Sequence, residues 1–557
     1  MRDRKTTAGL TGQAIAGNHV VLLAWNMEAA TMLAAGVLGF AVERHRYSDG
    51  ETIWLVAMKT FEAVEPHPDP GVPVSSYRHP IQSFQWSDLS VEPACGYRYR
   101  IVARCGEPTA LTDGASVTLD VTTEPVDQGR HAVFFNRGAI ASQEYARRFQ
   151  NRAPDKVGPA AYEWLSRGLL EGLEAFIDQA QDGDALNGAF YQFRNQRVFD
   201  RLRAAKARGA DVVMLYDDNE EAVANEEALA SSGIKGLTRP RAKSAGYAHN
   251  KFVVLSRANV AEEVWTGSTN LTENGIFGHS NNAHIVRDRR IARSYLDYWR
   301  TLRRDTPTKD YRAIVEALGP VPATIPNGGD TVAVFSPRAG QAALDWYADL
   351  ASRAERMLCM TFAFGMNQAF VPTYDQSDNV LRFALMEKRG NNAAQAAITD
   401  RIRKRPNTVV AVGAFIPINT FDRWLAEVDR EDPDLGIHVR YIHTKFMLVD
   451  PLGDDPVIIV GSANFSKASC DTNDENMLFI RGNAALADIY LGEYMRLFAH
   501  YAFRESLKFR GATTAAAALE RKYLIATPGW IHGNPNSPSY FEPGTDRQLR
   551  RLYFSGS

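Results

Sequence analysis

The sequence predicts an α/β protein of two pseudo-symmetric sandwich lobes, preceded by an all-β sandwich of immunoglobulin or fibronectin type. Three observations predict this architecture: short strand patterns up to residue 125, alternating helix and strand patterns after it, and a pair of motifs that occurs twice. A chain of 557 residues is long enough for roughly two to three domains. Its formal net charge of −2 predicts no global attraction to nucleic acid or to an anionic membrane.

The N-terminal part, residues 1–125, is composed of short segments that are rich in β-branched and aromatic residues and are separated by turn clusters. These segments are HVVLLAWNM, GVLGFAVERHRY, ETIWLVAMKTFE, GYRYRIVARC and ASVTLDVTTE. Regular short strands of this kind are typical of a β-sandwich. No catalytic constellation is visible among them. The domain is therefore a candidate for docking to a partner or to a surface.

After residue 125 the pattern changes to alternating helices and strands. Helical spacing is seen in AAYEWLSRGLLEGLEAFIDQA, QRVFDRLRAAKARG and ALDWYADLASRAERM, and buried strands are indicated by ADVVMLYDD, MLCMTFAF and TVVAVGAF. This alternation predicts α/β sandwiches with largely parallel sheets, a first lobe at 126–328 and a second at 329–510. Residues 511–557 begin with the helical pattern ATTAAAALERKYL, and we expect an extended arm that packs on the lobes.

The most informative feature is an internal repeat. The first copy contains His249, Lys251, Gly267, Ser268 and Asn270, and the second contains His443, Lys445, Gly461, Ser462 and Asn464. Each residue of the second copy follows its counterpart by 194 positions. Two duplicated lobes that pack about a pseudo-two-fold axis would bring both copies to one shared site.

The repeated residue types suit phosphoryl chemistry. In H-x-K the two side chains alternate along a strand, so that His and Lys project from the same face. Imidazole acts as a nucleophile or a general acid near neutral pH, and Lys and Asn can bind non-bridging phosphoryl oxygens. One His would attack phosphorus, while the other protonates the leaving oxygen and later activates water. Two lysines supply the positive charge that a cation would bring, so we expect neither metal nor cofactor.

These motifs resemble those of the phospholipase D superfamily, whose signature is H-x-K-x4-D followed by G-S-x-N. The resemblance covers residues from about 130 to 510 and implies a phosphodiesterase that acts through a phosphohistidine. The second copy carries the supporting Asp450, whereas the first has Ser256 at that position. The tyrosyl-DNA phosphodiesterase branch also lacks this Asp and is active. Ser256 therefore does not imply an inactive lobe.

The family places a group that hydrogen-bonds the catalytic His downstream of each G-S-x-N. The resemblance assigns Glu475 to His443 and Asn282 to His249. A carboxylate beside His443 would raise its pKa and suit a general acid, and an amide would leave His249 neutral as the nucleophile. The tyrosyl-DNA phosphodiesterases show a similar split between glutamate and amide.

Four further residues lie close to the motifs. The Ser268 and Ser462 hydroxyls could bind phosphate or could fix the turn, and the two interpretations are weighted equally. His279 and His284 are expected to be structural residues of the first lobe rather than catalytic ones.

The substrate must be inferred from the surroundings of the site, and they favour DNA or RNA over phospholipid. Basic residues lie before His249, in an aromatic-containing segment after the first G-S-x-N, and before the second H-x-K, where they could hold phosphates and bases. They comprise Lys235, Arg239, Arg241, Lys243, the seven arginines of 287–304 with Tyr295, Tyr298 and Trp299, and Arg401, Arg403, Lys404 and Arg405. An arginine-rich helix also fits a solvated face with surface ion pairs.

Two alternatives to a nuclease remain open. One is a phospholipase D that hydrolyses or transfers phospholipid headgroups, and the other is an inactive binding or scaffold module. The chain contains no stretch of about 18 apolar residues that could span a bilayer and begins with no signal-peptide pattern, so we expect a cytoplasmic protein. Both motif copies lie in one chain, so a monomer would be sufficient for the site.

Overall fold

A computed structural model describes residues 1–68, 72–138, 143–150, 152, 154–413, 442–509, 523–533 and 537–557. The described residues follow the predicted order of an all-β part and two α/β lobes. The N-terminal strands are β1 Arg2–Thr7, β2 Leu10–Ala16, β3 Val21–Asn26, β4 Val37–Arg46, β5 Thr52–Trp54, β6 Val56–Ala57, β7 Val74–Ser75, β8 Gln85–Asp88, β9 Gly96–Glu107 and β10 Ala110–Thr122. A short helix, Ala29–Ala34, precedes β4.

The N-terminal strands form two antiparallel sheets, ordered β1-β2-β3-β8 and β10-β9-β4-β5. Inward-facing residues of both sheets, such as Trp25, Phe40 and Tyr99, are fully buried between them. The predicted β-sandwich is thereby confirmed. Alternation of buried and less buried residues along β10 agrees with a sheet that has one covered face.

The C-terminal arm packs partly on the N-terminal sandwich and partly on the second lobe. Trp530 is buried in the core of the N-terminal sandwich, where its Nε1 donates to the Val37 carbonyl oxygen at 3.0 Å and its ring stacks on Phe84. Tyr540 and Phe541 also pack edge-on against Phe84. The prediction that the arm packs on the lobes was therefore wrong for these residues, which pack on aromatic rings of the sandwich, and is confirmed for Leu549 and Phe554, which join the core of the lobes. The predicted helix at 512–524 lies mostly outside the described residues, and the chain ends in a helix at Asp546–Phe554.

Each lobe contains one seven-stranded sheet. The first lobe has β11 His131–Phe135, β12 Ala185–Phe190, β13 Asp211–Asp217, β14 Thr238–Arg241, β15 Lys251–Arg257, β16 Val260–Gly267 and β17 Asn282–Val286, in the order β11-β17-β16-β15-β12-β13-β14. The second has β18 Thr331–Ser336, β19 Met357–Phe362, β20 Leu381–Met386, β21 Thr408–Val412, β22 Phe446–Val449, β23 Val457–Gly461 and β24 Glu475–Arg481, in the order β18-β24-β23-β22-β19-β20-β21. The two orders are equivalent, as expected for duplicated lobes.

The sheets are mixed rather than largely parallel, which corrects the sequence prediction. In the first lobe β12, β13 and β14 pair in parallel, whereas β11, β17, β16, β15 and β12 pair antiparallel in that order. The reason is the short connection between β15 and β16, because strands joined by a tight hairpin must run antiparallel. The hairpin has a consequence for the site, since it connects the far ends of the two strands and so places the H-x-K start of β15 beside the G-S-x-N end of β16, where Phe252 pairs with Thr266.

Helices cover the sheets and fill the space between the lobes. The first lobe has Gln143–Phe149, Pro154–Val157, Pro159–Ser166, Leu169–Asp178, Gln196–Ala207, Ala222–Ser232, Arg289–Leu302 and Thr308–Leu318. The second has Ala342–Ser352, Val371–Tyr374, Ala393–Ile402, Lys467–Asp471 and Ala484–Phe509. Within the described ranges, no helix is both long and apolar enough to cross a membrane.

One continuous core joins the two lobes. It contains Phe252 of β15 and Phe446 of β22 together with Tyr298 and Tyr490 from the two helices at the interface. The rings of Tyr298 and Phe335 stack across the lobes with centroids 4.4 Å apart. This shared core fixes the lobes relative to each other, and it places the starts of β15 and β22 on opposite sides of the same cleft.

Candidate active site

The two H-x-K motifs face each other where the lobes meet. His249 and His443 lie just before β15 and β22, and their ring centroids are 6.4 Å apart. His249 is 6% exposed, and Lys251 and Lys445 are almost completely buried. Each lysine ammonium donates to the carbonyl oxygen of the histidine in its own motif. The structure thus brings both His–Lys pairs together, as the duplicated motif predicts.

The glycine of each G-S-x-N motif allows a close approach between strands. A Cβ atom on Gly267 would lie 2.3 Å from the Asn282 carbonyl oxygen, and one on Gly461 would lie 2.2 Å from that of Asn476. Both distances are far inside van der Waals contact, so no other residue fits without a shift of backbone. The close approach brings the start of β17 or β24 against the serine that follows the glycine.

The groups that bond the histidines come from the opposite lobe. His249 Nδ1 is 2.9 Å from Glu475 Oε2, and His443 Nδ1 is 2.8 Å from Asn281 Oδ1. The predicted pairing of Glu475 with His443 was therefore wrong, and so was the pairing of Asn282 with His249. The pseudo-two-fold axis explains the exchange, because the segment after each G-S-x-N reaches across it. Separation along the chain does not reveal this contact.

The residue in the first lobe is Asn281 rather than its neighbour Asn282. Asn281 lies 194 positions before Glu475, so the offset of the motifs would have identified it in the sequence. Successive side chains of a strand point to opposite faces, and a slip of one residue therefore selects the wrong face. Asn282 instead accepts a hydrogen bond from Ser268 Oγ at 3.0 Å.

The two motif serines hold the partners of the histidines. Ser462 Oγ lies 2.6 Å from Glu475 Oε2, and Ser268 Oγ lies 2.8 Å from Asn281 Oδ1. Each serine also accepts the backbone N–H of the residue after that partner, at 3.0 Å in the second lobe and 3.1 Å in the first. The serines therefore orient the groups that orient the histidines, which is neither of the two roles considered from the sequence.

Further contacts across the lobes fix the segment that carries Glu475. Asp474 accepts the Arg241 Nε at 2.9 Å, and the Asn476 Nδ2 donates to Asn250 Oδ1 at 2.8 Å. Asn473 Nδ2 lies 3.2 Å from the other carboxylate oxygen of Glu475. The side chain of Glu475 is thus held in one geometry by its neighbours. Arg241 and Asn250 therefore fix the segment that carries Glu475. The sequence does not reveal this role, because their partners are more than two hundred residues away.

The asparagines of the two G-S-x-N motifs have unused hydrogen-bonding capacity. Within the described part of the chain, the side-chain amides of Asn270 and Asn464 make no hydrogen bond, and their Oδ1 atoms are buried. Buried polar groups in folded proteins are normally paired. The two amides belong to the motifs of the facing histidines, and their Nδ2 groups, unlike the buried Oδ1 atoms, could donate to the oxygens of a phosphoryl group.

Burial and the closeness of several basic groups lower the pKa values of the site. Burial lowers the pKa of His249 to about 4, and the nearby lysines lower it too, although Glu475 raises it. Burial lowers the pKa of Lys251 to about 7 and that of Lys445 well below its usual range. The pKa of His443 is lowered by burial and by both lysines. An anion in the cleft would reverse these shifts, because it favours the charged form of each group.

The residues of this site also relate the chain to known proteins. The family model described as "Cardiolipin synthase, PLD-like domain" matches residues 173–303 and 416–497, which contain both motif copies and the residues that bond the histidines. The chain belongs to the phospholipase D superfamily. No curated protein matches the sequence.

Solved structures of the phospholipase D type and others align with the chain at low identity. Phosphatidylserine synthase from Haemophilus influenzae is 13% identical, with 60% of this chain and 85% of that chain covered and a TM-score of 0.41. Yeast tyrosyl-DNA phosphodiesterase is 10% identical, with 55% and 85% covered and a TM-score of 0.33. Polyphosphate kinase from Porphyromonas gingivalis is 12% identical at a TM-score of 0.36, with 57% of this chain aligned to 43% of the kinase. Because the scores are below 0.5, membership rests on the family model and the motifs.

The Asp of the phospholipase D signature lies far from the catalytic groups. Asp450 follows β22, and its carboxylate accepts the backbone N–H groups of Glu355, Arg356 and Met357 at 2.7–2.8 Å. It therefore fixes the start of β19 at the end of β22 opposite to His443. Ser256 Oγ, its counterpart, has no hydrogen-bond partner among the described residues. Serine in place of aspartate at position 256 thus removes hydrogen bonds that would fix a neighbouring strand. It leaves His249 and Lys251 in place.

The two additional histidines of this phospholipase D lobe differ in position. His284 is buried, with Nε2 2.9 Å from His131 Nδ1 and Nδ1 3.1 Å from the Tyr490 hydroxyl, which agrees with the structural role expected from the sequence. His279 lies closer to the site, with its ring centroid 6.0 Å from that of His443. Its location at the site was not expected.

The basic and aromatic segments that favoured a nucleic-acid substrate contact other parts of the protein. Tyr295, Tyr298 and Trp299 are buried in the core between the lobes, so they cannot stack on bases. Many of the basic side chains form ion pairs with acidic neighbours, and Arg241 is buried against Asp474. Examples of these pairs are Lys235–Glu226, Arg287–Asp127, Arg289–Glu262, Arg293–Asp297, Arg401–Asp375 and Arg405–Asp375. The hydrophobic face of the helix Arg289–Leu302 explains the burial of its aromatic residues.

Proposed function

We propose that this member of the phospholipase D superfamily is a metal-independent phosphodiesterase that forms a phosphohistidine on His249 and acts on nucleic acid. The observation that carries the proposal is the pair of facing His–Lys–Asn sets with buried lysines and unused asparagine amides. Such a site binds a phosphodiester monoanion, and the two lysines stabilise the charge of its equatorial oxygens. Both halves of the site come from one chain, so a monomer suffices.

The assignment of His249 as the nucleophile now rests on a different reason from the one given by the sequence. Glu475 accepts the proton of His249 Nδ1 and leaves the Nε2 lone pair free for attack. The carboxylate also stabilises the positive charge that develops on the ring when the P–N bond forms. His443 donates its Nδ1 proton to a neutral amide, so its Nε2 is available to carry a proton once the anion is bound.

The reaction then proceeds in two steps. His249 Nε2 attacks phosphorus, the bond between phosphorus and the leaving oxygen breaks, and His443 Nε2 gives that oxygen its proton. Neutral His443 next takes a proton from water, whose oxygen attacks phosphorus and breaks the P–N bond. The products are a phosphomonoester and an alcohol, with His249 restored. An alcohol in place of water would give transfer instead of hydrolysis.

Nucleic acid is the favoured substrate because the exposed Tyr247 packs on Tyr191, whose ring contacts the proposed nucleophile His249. The second candidate is a phospholipid. It is favoured by Val56 of β6 and by Met58 and Val72, which lie between β6 and β7, because all three expose large apolar side chains that could dock at a membrane surface.

The test uses purified protein in EDTA with labelled single-stranded DNA, single-stranded RNA and mixed phospholipid vesicles. We expect cleavage of nucleic acid that is unaffected by EDTA and is lost in His249→Asn. In samples quenched with detergent at alkaline pH, where the P–N bond is stable, His443→Asn should accumulate a covalent phosphoenzyme, whereas His249→Asn should not. Release of headgroup without nucleic-acid cleavage would replace the favoured substrate by the second candidate. Absence of turnover on all substrates, with substrate still bound, would support the inactive binding module instead.

A further inference from the structure

Two tyrosines form an aromatic wall on the first-lobe side of the cleft. The Tyr191 ring centroid is 4.9 Å from that of His249, and the Lys251 ammonium lies 5.2 Å from the same ring. The Tyr247 ring packs against Tyr191 with centroids 5.6 Å apart. Tyr191 thus contacts both catalytic residues of the first motif, and Tyr247 continues the wall outward.

Tyr247 is held rigidly although its ring is 41% exposed. Its backbone N–H donates to Asn473 Oδ1 at 3.2 Å, and its carbonyl oxygen accepts the Asp474 N–H at 2.9 Å. Both partners belong to the second lobe and lie beside Glu475. A single exposed ring is common on protein surfaces and means little alone. Here, however, the backbone that carries the ring is fixed by the same segment that orients His249, and the ring itself packs on Tyr191.

The charges around the wall favour an uncharged flat group over a second phosphate. The buried Asp217 and the exposed Glu220 are the negative groups that act on Tyr191. Asp217 Oδ2 accepts the Ala248 N–H between Tyr247 and His249 at 2.9 Å. The phosphoryl group is attracted to the lysines in the cleft. Arg194 also acts on Tyr191 but is paired with Glu221, so this side of the cleft attracts a further phosphate less than the lysines do. A nucleobase is flat, uncharged and able to stack on tyrosine.

We propose that Tyr247, backed by Tyr191, is a base-stacking subsite for the nucleoside that stays bonded to phosphorus when His249 attacks. The subsite lies on the His249 side of the cleft, whereas the leaving oxygen must lie on the His443 side for in-line displacement. This inference rests on the proposed phosphodiesterase function and names the part of the substrate that the enzyme recognises. The tyrosines act by positioning the substrate and take no part in proton transfer.

The experiment compares two substrates with the same leaving group, the p-nitrophenyl phosphodiesters of thymidine and of methanol. We expect the ratio of their kcat/KM values to fall about 10- to 100-fold in Tyr247→Leu, which is the effect of losing a base-stacking contact. Most of the change should be in KM for the thymidine ester. Tyr247→Phe should retain the ratio because it keeps the ring. Tyr77→Leu, at a comparably exposed tyrosine of the N-terminal domain, should retain it too.

Binding of thymidine monophosphate and of inorganic phosphate to the same variants, followed by calorimetry, provides a readout that needs no turnover. Tyr247→Leu should weaken the binding of thymidine monophosphate. Tyr247→Phe should bind it about as tightly as the unmodified protein does. A ratio that does not change in Tyr247→Leu, with both esters still hydrolysed, would refute the subsite and leave the phosphodiesterase chemistry intact. Hydrolysis of neither ester, together with equal binding of both anions, would refute the function and the subsite together.

Discussion

Glu475→Gln is the substitution that most directly tests how the two lobes share the catalytic groups. Glu475 is 1% exposed, and its Oε2 contacts both His249 Nδ1 and Ser462 Oγ. Glutamine keeps an oxygen in that position and removes the negative charge. The change therefore isolates the electrostatic part of the contact and causes little disturbance of packing.

The expected magnitude follows from the kind of hydrogen bond that is lost. Bonds to a charged group contribute about 1.5–3 kcal/mol and neutral ones about 0.5–1.5 kcal/mol, so the difference is about 1–2 kcal/mol. Because this charge stabilises the ring as the P–N bond forms, kcat/KM should fall by about 5- to 30-fold. The matched substitution Asn281→Ala removes a neutral bond from His443, and its effect on a substrate that needs protonation should be similar or smaller.

The assay separates the two histidines by varying the leaving group. Methyl p-nitrophenyl phosphate expels its leaving group without protonation, whereas methyl phenyl phosphate depends more on the general acid. Glu475→Gln should lower kcat/KM by the same factor for both esters, because it acts on the nucleophile. Asn281→Ala should lower it mainly for the phenyl ester, because it acts on the acid.

Two results would refute this reasoning. If the defect of Glu475→Gln disappeared with the p-nitrophenyl ester, Glu475 would support the general acid. If the defect of Asn281→Ala were equal for both esters, the assignment of His443 as the acid would fail as well. Urea unfolding of both variants serves as the control, since a folding defect would lower activity with every leaving group alike.

Two further predictions concern stability. Arg241→Met should destabilise the protein by about 3–5 kcal/mol in urea titrations because it leaves the Asp474 carboxylate buried without its cation, and a loss below 1 kcal/mol would contradict this. Burial alone would raise the pKa of Glu493, but Arg167 and Arg496 lower it to about 2. The stabilisation from this carboxylate is present above the usual glutamate pKa of about 4.5 and is lost as the pH falls towards 2. Over that range the free energy of unfolding should therefore fall by about 3 kcal/mol more in the unmodified protein than in Glu493→Gln. Equal losses in the two proteins would contradict the assignment.

The lobes and the meeting of the two His–Lys pairs could be predicted from the sequence for a simple reason. The H-x-K and G-S-x-N motifs are local, and a duplicated domain repeats them at a constant offset of 194 residues. Apolar periodicity also predicted the N-terminal sandwich, since short strands with regular turns leave few other architectures. The direction of strand pairing was predicted less well, because the pattern of a buried strand is similar in parallel and antiparallel sheets.

Packing between the lobes decided what the arginine-rich segment 287–304 contacts. Its charges and rings fitted a surface for nucleic acid, but Tyr298 stacks on Phe335 of the other lobe and donates its hydroxyl proton to the Ser336 carbonyl oxygen at 2.6 Å. Composition cannot distinguish a ring that faces solvent from a ring that faces a neighbouring domain. The hydrophobic face of the helix indicated burial, and the partner that covers it was not visible in the sequence.

Residue type and local spacing were therefore enough to identify the residues of the proposed site, because they encode two strands that each present His and Lys. Only the tertiary structure decided which lobe orients which histidine. Glu475 reaches His249 and Asn281 reaches His443 because the pseudo-two-fold axis passes between the lobes and each G-S-x-N strand leads into a segment that crosses it. Contacts of this kind join residues more than 160 positions apart, and they form only when the shared core brings the two sheets together.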